Sequence, residues 1–446
     1  MYKFYIKTFG CQMNKNDSDI INQVLIENDF SQVENPVEAD IIFINTCSVR
    51  NHAEQRALGY ISTLKRWREK KGLVLGVIGC MAKRLADEII TRYPFVDLVL
   101  GPDSYRKIPE YIKLIIDQKT KIIETEVGKE LYTGICRKSN RVSDFVSITR
   151  GCNNYCSYCI VPFVRGELRS RPLDDILNEV NFLVESGVKD ITLLGQNVNE
   201  YHYNGTDFPE LLRIVARKTG VFRLRFLTSH PRDFSEKIID VVKENRNICE
   251  WFHIPLQSGN NRILELMNRK YTKEKYIELI DKIRKNIPDA TLTTDIIVGF
   301  PTETEEEFYE TIDLIKNIEF DDAYMYRYSA RPGTKASEFP SLPEGVIKER
   351  LKILIDIQNK IIIKKTEQMI GKVYELLFEE NFSSFCNVAS IDERTGINKE
   401  KIKNGARGKT RGNKDVIVEK MIEPGRVHKV LITKINGRTP IGNLLK

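Results

Sequence analysis

The stretch FVSITRGCNNYCSYC (residues 145–159) decides the fold. FVSIT reads as a strand, and its end leads directly into three thiols, Cys152, Cys156 and Cys159. In βα barrels the reactive groups stand at the C-terminal ends of the strands, so this strand opens a barrel series. The series continues downstream with ITLLGQ (191–196), FRLRFLT (222–228), FHIPLQ (252–257), TLTTDIIVGF (291–300) and AYMYRYS (323–329), with helical patterns between them. Six βα units over residues 144–343 predict a partial (βα)6 barrel, short of the eight units of a full barrel. A doubly wound open sheet is the alternative topology.

Upstream, residues 1–125 alternate apolar runs (KFYIKTF, DIIFINT, LVLGVIG, DLVLG) with amphipathic stretches at 17–28, 50–69, 82–91 and 105–117. Strand and helix in alternation predict an open parallel α/β sheet. Residues 126–143 read as a linker and 344–369 as one connecting helix. Residues 370–446 change character, with short strand-like runs and glycines at 405, 408, 412, 425, 437 and 442. They predict a small antiparallel β-barrel. The chain as a whole is of the α/β class.

At 446 residues the chain is long enough for two to four domains. No apolar run reaches membrane-spanning length, and MYKFYIKTFGC lacks the apolar core of a secretory signal. A cytoplasmic protein with reduced thiols is expected, which sets aside a disulfide framework for its nine cysteines. Residues 401–446 carry twelve Lys/Arg against three Asp/Glu, a net charge of 12 − 3 = +9. The remainder then carries 7 − 9 = −2. A basic segment on a near-neutral body suits a polyanion, or equally a solvated surface.

Thiolates are the natural ligands of iron–sulfur clusters. A four-iron cube held by only Cys152, Cys156 and Cys159 keeps one iron open for a small molecule, unlike a pure electron carrier. A structural zinc site would want a fourth Cys or His nearby. Downstream, the next such residue, His202, lies 43 residues beyond Cys159. A three-cysteine loop of chance spacing is the remaining alternative.

Cys11, Cys47 and Cys80 each follow an apolar strand in the N-terminal region. Ligand sites of open α/β sheets form along that edge, so three thiolates from neighbouring strands can converge on a second metal centre there. Buried free cysteines are common, and any one of the three alone would be explained as a small hydrophobe. Cys136, Cys249 and Cys386 lack such placement and read as structural.

The C-x3-C-x2-C spacing, with Tyr158 before the third cysteine, resembles the radical S-adenosylmethionine superfamily. The resemblance implies that S-adenosylmethionine chelates the open iron of a [4Fe–4S] cluster and is cleaved to a 5′-deoxyadenosyl radical. Gly195-Gln196-Asn197 stands where many members carry Gly-Gly-Glu. With Tyr158, Arg225, Ser229, Gln257 and Asp295, these three are the candidate cofactor contacts. The two cysteine triads together resemble the methylthiotransferase family, as do KTFGCQMN at the start, the NTC and GC sites and the basic C-terminal region. That resemblance implies two [4Fe–4S] clusters, one making the radical and one handling sulfur.

Within the family, CIVPFVRG (159–166), LGQNVN (194–199), TSHP (228–231) and SARPGT (329–334) look like the branch acting on N6-isopentenyladenosine at tRNA position 37. This implies hydrogen abstraction at C2 of adenine, sulfur insertion, and a methyl group from a second S-adenosylmethionine. The C-terminal region resembles a TRAM domain, with GKTRGN (408–413) as its basic stretch and tRNA as the implied partner. A low-potential electron donor such as flavodoxin or ferredoxin, an unnamed sulfur donor, no membrane and a monomeric state complete the expectation. N6-threonylcarbamoyladenosine is the alternative substrate. A ribosomal-protein aspartate and a non-catalytic iron–sulfur or zinc RNA-binding protein are the more distant alternatives.

Overall fold

The structure is a computed structural model that describes residues 1–49, 51–137, 139–218, 220–383, 402 and 404–445. The N-terminal sheet has six parallel strands: β1 (Lys3–Phe9), β2 (Ser31–Gln32), β3 (Ile41–Thr46), β4 (Val74–Gly79), β5 (Leu98–Leu100) and β6 (Ile122–Glu124), in the order β2-β1-β3-β4-β5-β6. Four strands are legible as apolar runs. β2 and β6 are missed because they are only two and three residues long and lie at the edges of the sheet. β3, β4 and β5 are buried along their whole length, as parallel strands covered on both faces must be. On one face the helices Gln12–Ile26 and Ile108–Gln118 close a core around Phe4, Phe43 and Leu98. On the other, Asn51–Thr63 and Ala86–Arg92 pack over Ile42, Ile44 and Val77.

Within residues 126–143, expected as a linker, Tyr132 meets the N-terminal domain and Arg137 the first central strand, Ser143–Ser147. Tyr132 is buried and stacks on Tyr105 with ring centroids 5.4 Å apart. Arg137, also buried, forks onto Asp144 at 2.8 and 2.9 Å.

The central strands are β7 (Ser143–Ser147), β8 (Asp190–Leu194), β9 (Arg223–Leu227), β10 (Trp251–His253), β11 (Thr291–Val298) and β12 (Asp322–Arg327). β7–β9 and β10–β12 form two parallel runs, joined by a parallel bridge from Leu224 to Ile248. Neighbours follow chain order without reversal. A doubly wound sheet would reverse at a switch point, so the arrangement is a partial six-stranded barrel. Residues 252–257 form a shorter strand than expected, because after His253 only Gln257 pairs again, with Ile296. The outer helices pack on the strands through Ile176, Val180, Leu212, Ile238, Ile280 and Ile312. The long helix Glu344–Glu367 joins this outer layer, where Leu354 belongs to the same core and Gln358 donates to the Phe320 carbonyl.

The C-terminal strands are β13 (Val373–Phe382), β14 (Gly405–Lys409), β15 (Asp415–Val418), β16 (Val427–Asn436) and β17 (Thr439–Leu444). They close into a five-stranded barrel in the order β13-β14-β15-β17-β16. The expected antiparallel pattern holds except at one seam, where β15 and β17 run parallel through Ile417–Ile441 and Val418–Gly442. Among the described residues, no helix is long and apolar enough to cross a membrane.

Candidate functional site

β1, β3 and β4 are side by side, and each ends in a cysteine. Cys11 precedes the helix Gln12–Ile26, Cys47 follows Thr46, and Cys80 opens the short helix Cys80–Arg84. Gly79 makes the close approach of β3 and β4 possible. Its φ is +95°, and a Cβ there would lie 2.6 Å from Asn45 Oδ1 and 2.8 Å from the Thr46 carbonyl. The Val49 N–H points at Cys47 Sγ from 3.2 Å, and Arg165 Nε at Cys80 Sγ from 3.1 Å. The Cys47 thiol donates to Cys11. That contact, opposed by burial and helped by Arg165, lowers Cys11 to about 6. The same contact, with burial, pushes Cys47 up.

The first triad sits on the loop after β7. Gly151 turns it, with φ +78° and the backbone oxygens of Glu167 and Gly166 at 2.0 and 2.5 Å from where a Cβ would stand. Ser157 fastens the loop to Met267 and Leu266, and Asn268 holds the carbonyls of Asn154 and Tyr155. Burial, then neighbouring Cys156, pushes Cys159 up to about 12. Arg269 Nη1 lies 3.4 Å from Cys156 Sγ. Each triad thus has one buried guanidinium directed at a sulfur.

All six cysteines line a single cavity of about 870 Å³. Among the described residues, no three His, Cys, Asp or Glu side chains converge tightly enough to hold one metal ion. In a cube each thiolate ligates its own iron, so the ligands stand wider apart.

Tyr158, Gly195, Gln196, Arg225, Ser229, Gln257 and Asp295 also line this cavity, while Asn197 does not. Asn197 is fully engaged: its amide donates to Glu200 and Asp233 at 2.8 Å each, and its oxygen accepts from the His230 N–H. Arg225 lines the wall, but its guanidinium is committed to Asp190 (2.9 and 3.0 Å) and to the carbonyls of Arg411 and Thr410. It braces the C-terminal barrel and has little left for a cofactor. Gln196 accepts from the Gly151 N–H at 2.7 Å and so steadies the first triad's turn. Asp295 stands 3.5 Å from His253.

Ser229 Oγ and Gln257 Oε1 are buried with no hydrogen-bond partner among the described residues, and so is His230 Nε2. Unpaired buried polar atoms are costly, and these three belong to residues facing one cavity beside the first triad. They fit a polar ligand there. Sequence reasoning missed His230, Arg165 and Arg269. His230 sits in TSHP and Arg165 in CIVPFVRG, but neither string shows what the side chain faces. Of the structural cysteines, Cys249 is buried, Cys136 is part-buried, and Cys386 lies outside the described residues.

Residues 146–315 match the Radical SAM superfamily, and residues 3–101 match "Uncharacterized protein family UPF0004". The tRNA-2-methylthio-N(6)-dimethylallyladenosine synthase of Caldicellulosiruptor saccharolyticus is 45% identical over 405 residues, 89% of this chain and 85% of that protein. The protein of the same name from Pelotomaculum thermopropionicum is 40% identical over 447 residues, covering 98% and 96%. Among solved structures, the radical S-adenosylmethionine methyltransferase TsrM from Kitasatospora setae aligns over 84% of this chain and 77% of its own. The TM-score is 0.59 at 13% identity, a likeness of fold alone. With its two cysteine triads on one cavity and relatives matched along almost its whole length, the chain belongs to the tRNA-2-methylthio-N(6)-dimethylallyladenosine synthase family of radical SAM enzymes.

Proposed function

We propose that this chain is a methylthiotransferase that acts on N6-isopentenyladenosine at position 37 of tRNA, using S-adenosylmethionine and two [4Fe–4S] clusters. The observation that carries this reading is that two separate three-thiol sets face one cavity. Each set offers three sulfurs, which fits a cube with one iron open to a small molecule. When bound, the cluster on Cys152, Cys156 and Cys159 supplies with S-adenosylmethionine the radical that removes the C2 hydrogen, and the cluster on Cys11, Cys47 and Cys80 supplies the sulfur.

The chain's own residues position and enclose. Ser229, Gln257 and neutral His230 offer hydrogen bonds to the polar parts of S-adenosylmethionine, and Gln196 and Gly151 set the first triad's loop. Tyr324, Met325, Tyr328 and Leu351 give the cavity an apolar wall suited to a prenyl tail. The division at residues 1–125, 126–143, 144–343, 344–369 and 370–446 follows from the same reading, as do a cytoplasmic site of action and a low-potential one-electron donor. The C-terminal barrel meets RNA through exposed lysines such as Lys420 and Lys429 rather than through Lys409 and Arg411, which are paired with Glu379 and Glu250.

The test is nucleoside analysis by mass spectrometry of tRNA from cells with and without the gene. Loss of the 2-methylthio prenyl-adenosine, with its unthiolated precursor accumulating, is expected. Its persistence contradicts the substrate, and loss of the threonylcarbamoyl counterpart instead would select the alternative.

A further inference from the structure

Arg165 belongs to the first triad by sequence and to the second by contact. It lies six residues after Cys159, at the end of the short helix Val161–Arg165, which packs on the helix Cys80–Arg84. Its Nε stands 3.1 Å from Cys80 Sγ, and its Nη2 stands 2.6 Å from Asp17 Oδ2. The other oxygen of Asp17 already accepts from Arg150 at 2.9 Å. Nη1 of Arg165 is buried and has no partner among the described residues.

The charges do not balance within this group. Asp17, Arg150 and Arg165 are 0, 1 and 3% exposed. One carboxylate faces two guanidiniums, which leaves a buried net charge of +1. An uncompensated buried charge is strongly unfavourable. A pin between the two domains would need only Asp17 and Arg150. The surplus guanidinium is explained if the anion it serves is a thiolate of the second triad, toward which its Nε already points.

We propose that Arg165 is a positioning residue that holds Cys80 and raises the reduction potential of the centre on Cys11, Cys47 and Cys80. The inference rests on the two-cluster reading above. Hydrogen bonds to cluster sulfurs and nearby positive charge favour the reduced, more negative state, and so raise the potential. Arg165 also makes the second centre sensitive to the loop that carries the first, since both are set by residues 152–165.

The test uses the full chain with Cys152, Cys156 and Cys159 changed to alanine, so that only the second centre titrates. Iron content and midpoint potential are measured with Arg165 intact, as Arg165→Lys and as Arg165→Gln. The Gln variant is expected to be at least tenfold harder to reduce, a potential lower by about 59 mV for one electron. The Lys variant, which keeps charge but loses the Nε–H, falls between. If Gln prevents folding, the Arg and Lys chains decide alone. A loaded centre with the same potential in every loaded chain overturns the inference and leaves the second cluster standing. Failure of the Arg165 chain to load about four irons overturns both.

Discussion

Arg411 reaches from the C-terminal barrel to clasp Glu250 with Nε and Nη2 at 2.8 and 2.7 Å, just before β10 begins. Its Nη2 also donates to the Ile248 carbonyl. Beside it, Arg223 donates to the Lys409 carbonyl and Arg225 to those of Thr410 and Arg411. The β14–β15 turn is thus locked against the starts of the central strands, and Lys409 and Asn413 line the cavity. The C-terminal barrel thus contributes to the wall of the cavity at the end away from the cysteines.

Arg411→Ala is therefore expected to act on stability. Loss of the clasp leaves Glu250 and a carbonyl without their partner, worth about 1–2 kcal/mol for a part-buried pair. Chemical denaturation reads this directly. The dependence of tRNA affinity on salt should not change, because no phosphate contact is lost. A salt slope reduced by about 0.9 would show that Arg411 touches RNA instead.

Asp17 bonds both Arg150 and Arg165 in a fully buried place. Burial alone would raise its carboxyl, but Arg165 and Arg150 outweigh burial and hold it below the ordinary value. Its stabilisation is complete above the unfolded carboxylate value and is lost as pH falls through the lower folded one. Asp17→Asn removes the carboxylate that Arg150 and Arg165 share and should cost about 3–5 kcal/mol at neutral pH. Urea unfolding of the variant and the parent measures the difference. A change below about 1 kcal/mol would contradict the charge count.

His230 is pushed down to about 2 by burial and then by Arg269, Arg232 and Lys270. Its Nδ1 accepts from the Arg232 N–H, so the single ring proton sits on Nε2. Because the folded value is depressed, its contribution is complete above about pH 6.5 and declines as pH falls from there toward 2. The limiting slope is about 1.4 kcal/mol per pH unit. His230→Gln should flatten the acid limb of the stability profile between pH 6.5 and 4, and an unchanged limb would show that His230 titrates normally.

Gly151→Ala should damage the first triad selectively. The new Cβ would meet backbone oxygens, which cannot swing aside as a side chain can. Strain and overpacking together amount to roughly 1–3 kcal/mol. Iron analysis should show the variant losing the share bound by Cys152, Cys156 and Cys159. Full iron loading would mean that the loop tolerates the change.

Local patterns carried much of this into view. Cys11, Cys47 and Cys80 are recognisable as a set because an apolar run precedes each, and a parallel sheet aligns such ends. Partners distant in sequence are not recognisable that way. Arg165 and Cys80 are 85 residues apart, and Arg225 and Arg411 are 186 apart. Arg225 reads as a cofactor contact because it lies on a barrel strand, yet Asp190 and the C-terminal barrel occupy it. The basic charge of residues 401–446 reads as RNA-facing, yet Arg411 and Arg438 serve Glu250 and Asp322. Charge is visible in a sequence, whereas the group that neutralises it is not.

The most direct measurement of the account's central claim is product analysis of the reconstituted chain with prenylated tRNA, S-adenosylmethionine and a low-potential reductant. The intact chain should yield both 5′-deoxyadenosine and 2-methylthio prenyl-adenosine. With Cys11, Cys47 and Cys80 changed to alanine it should still yield 5′-deoxyadenosine but no methylthio product. Methylthio product from that variant would contradict the division of labour between the two triads.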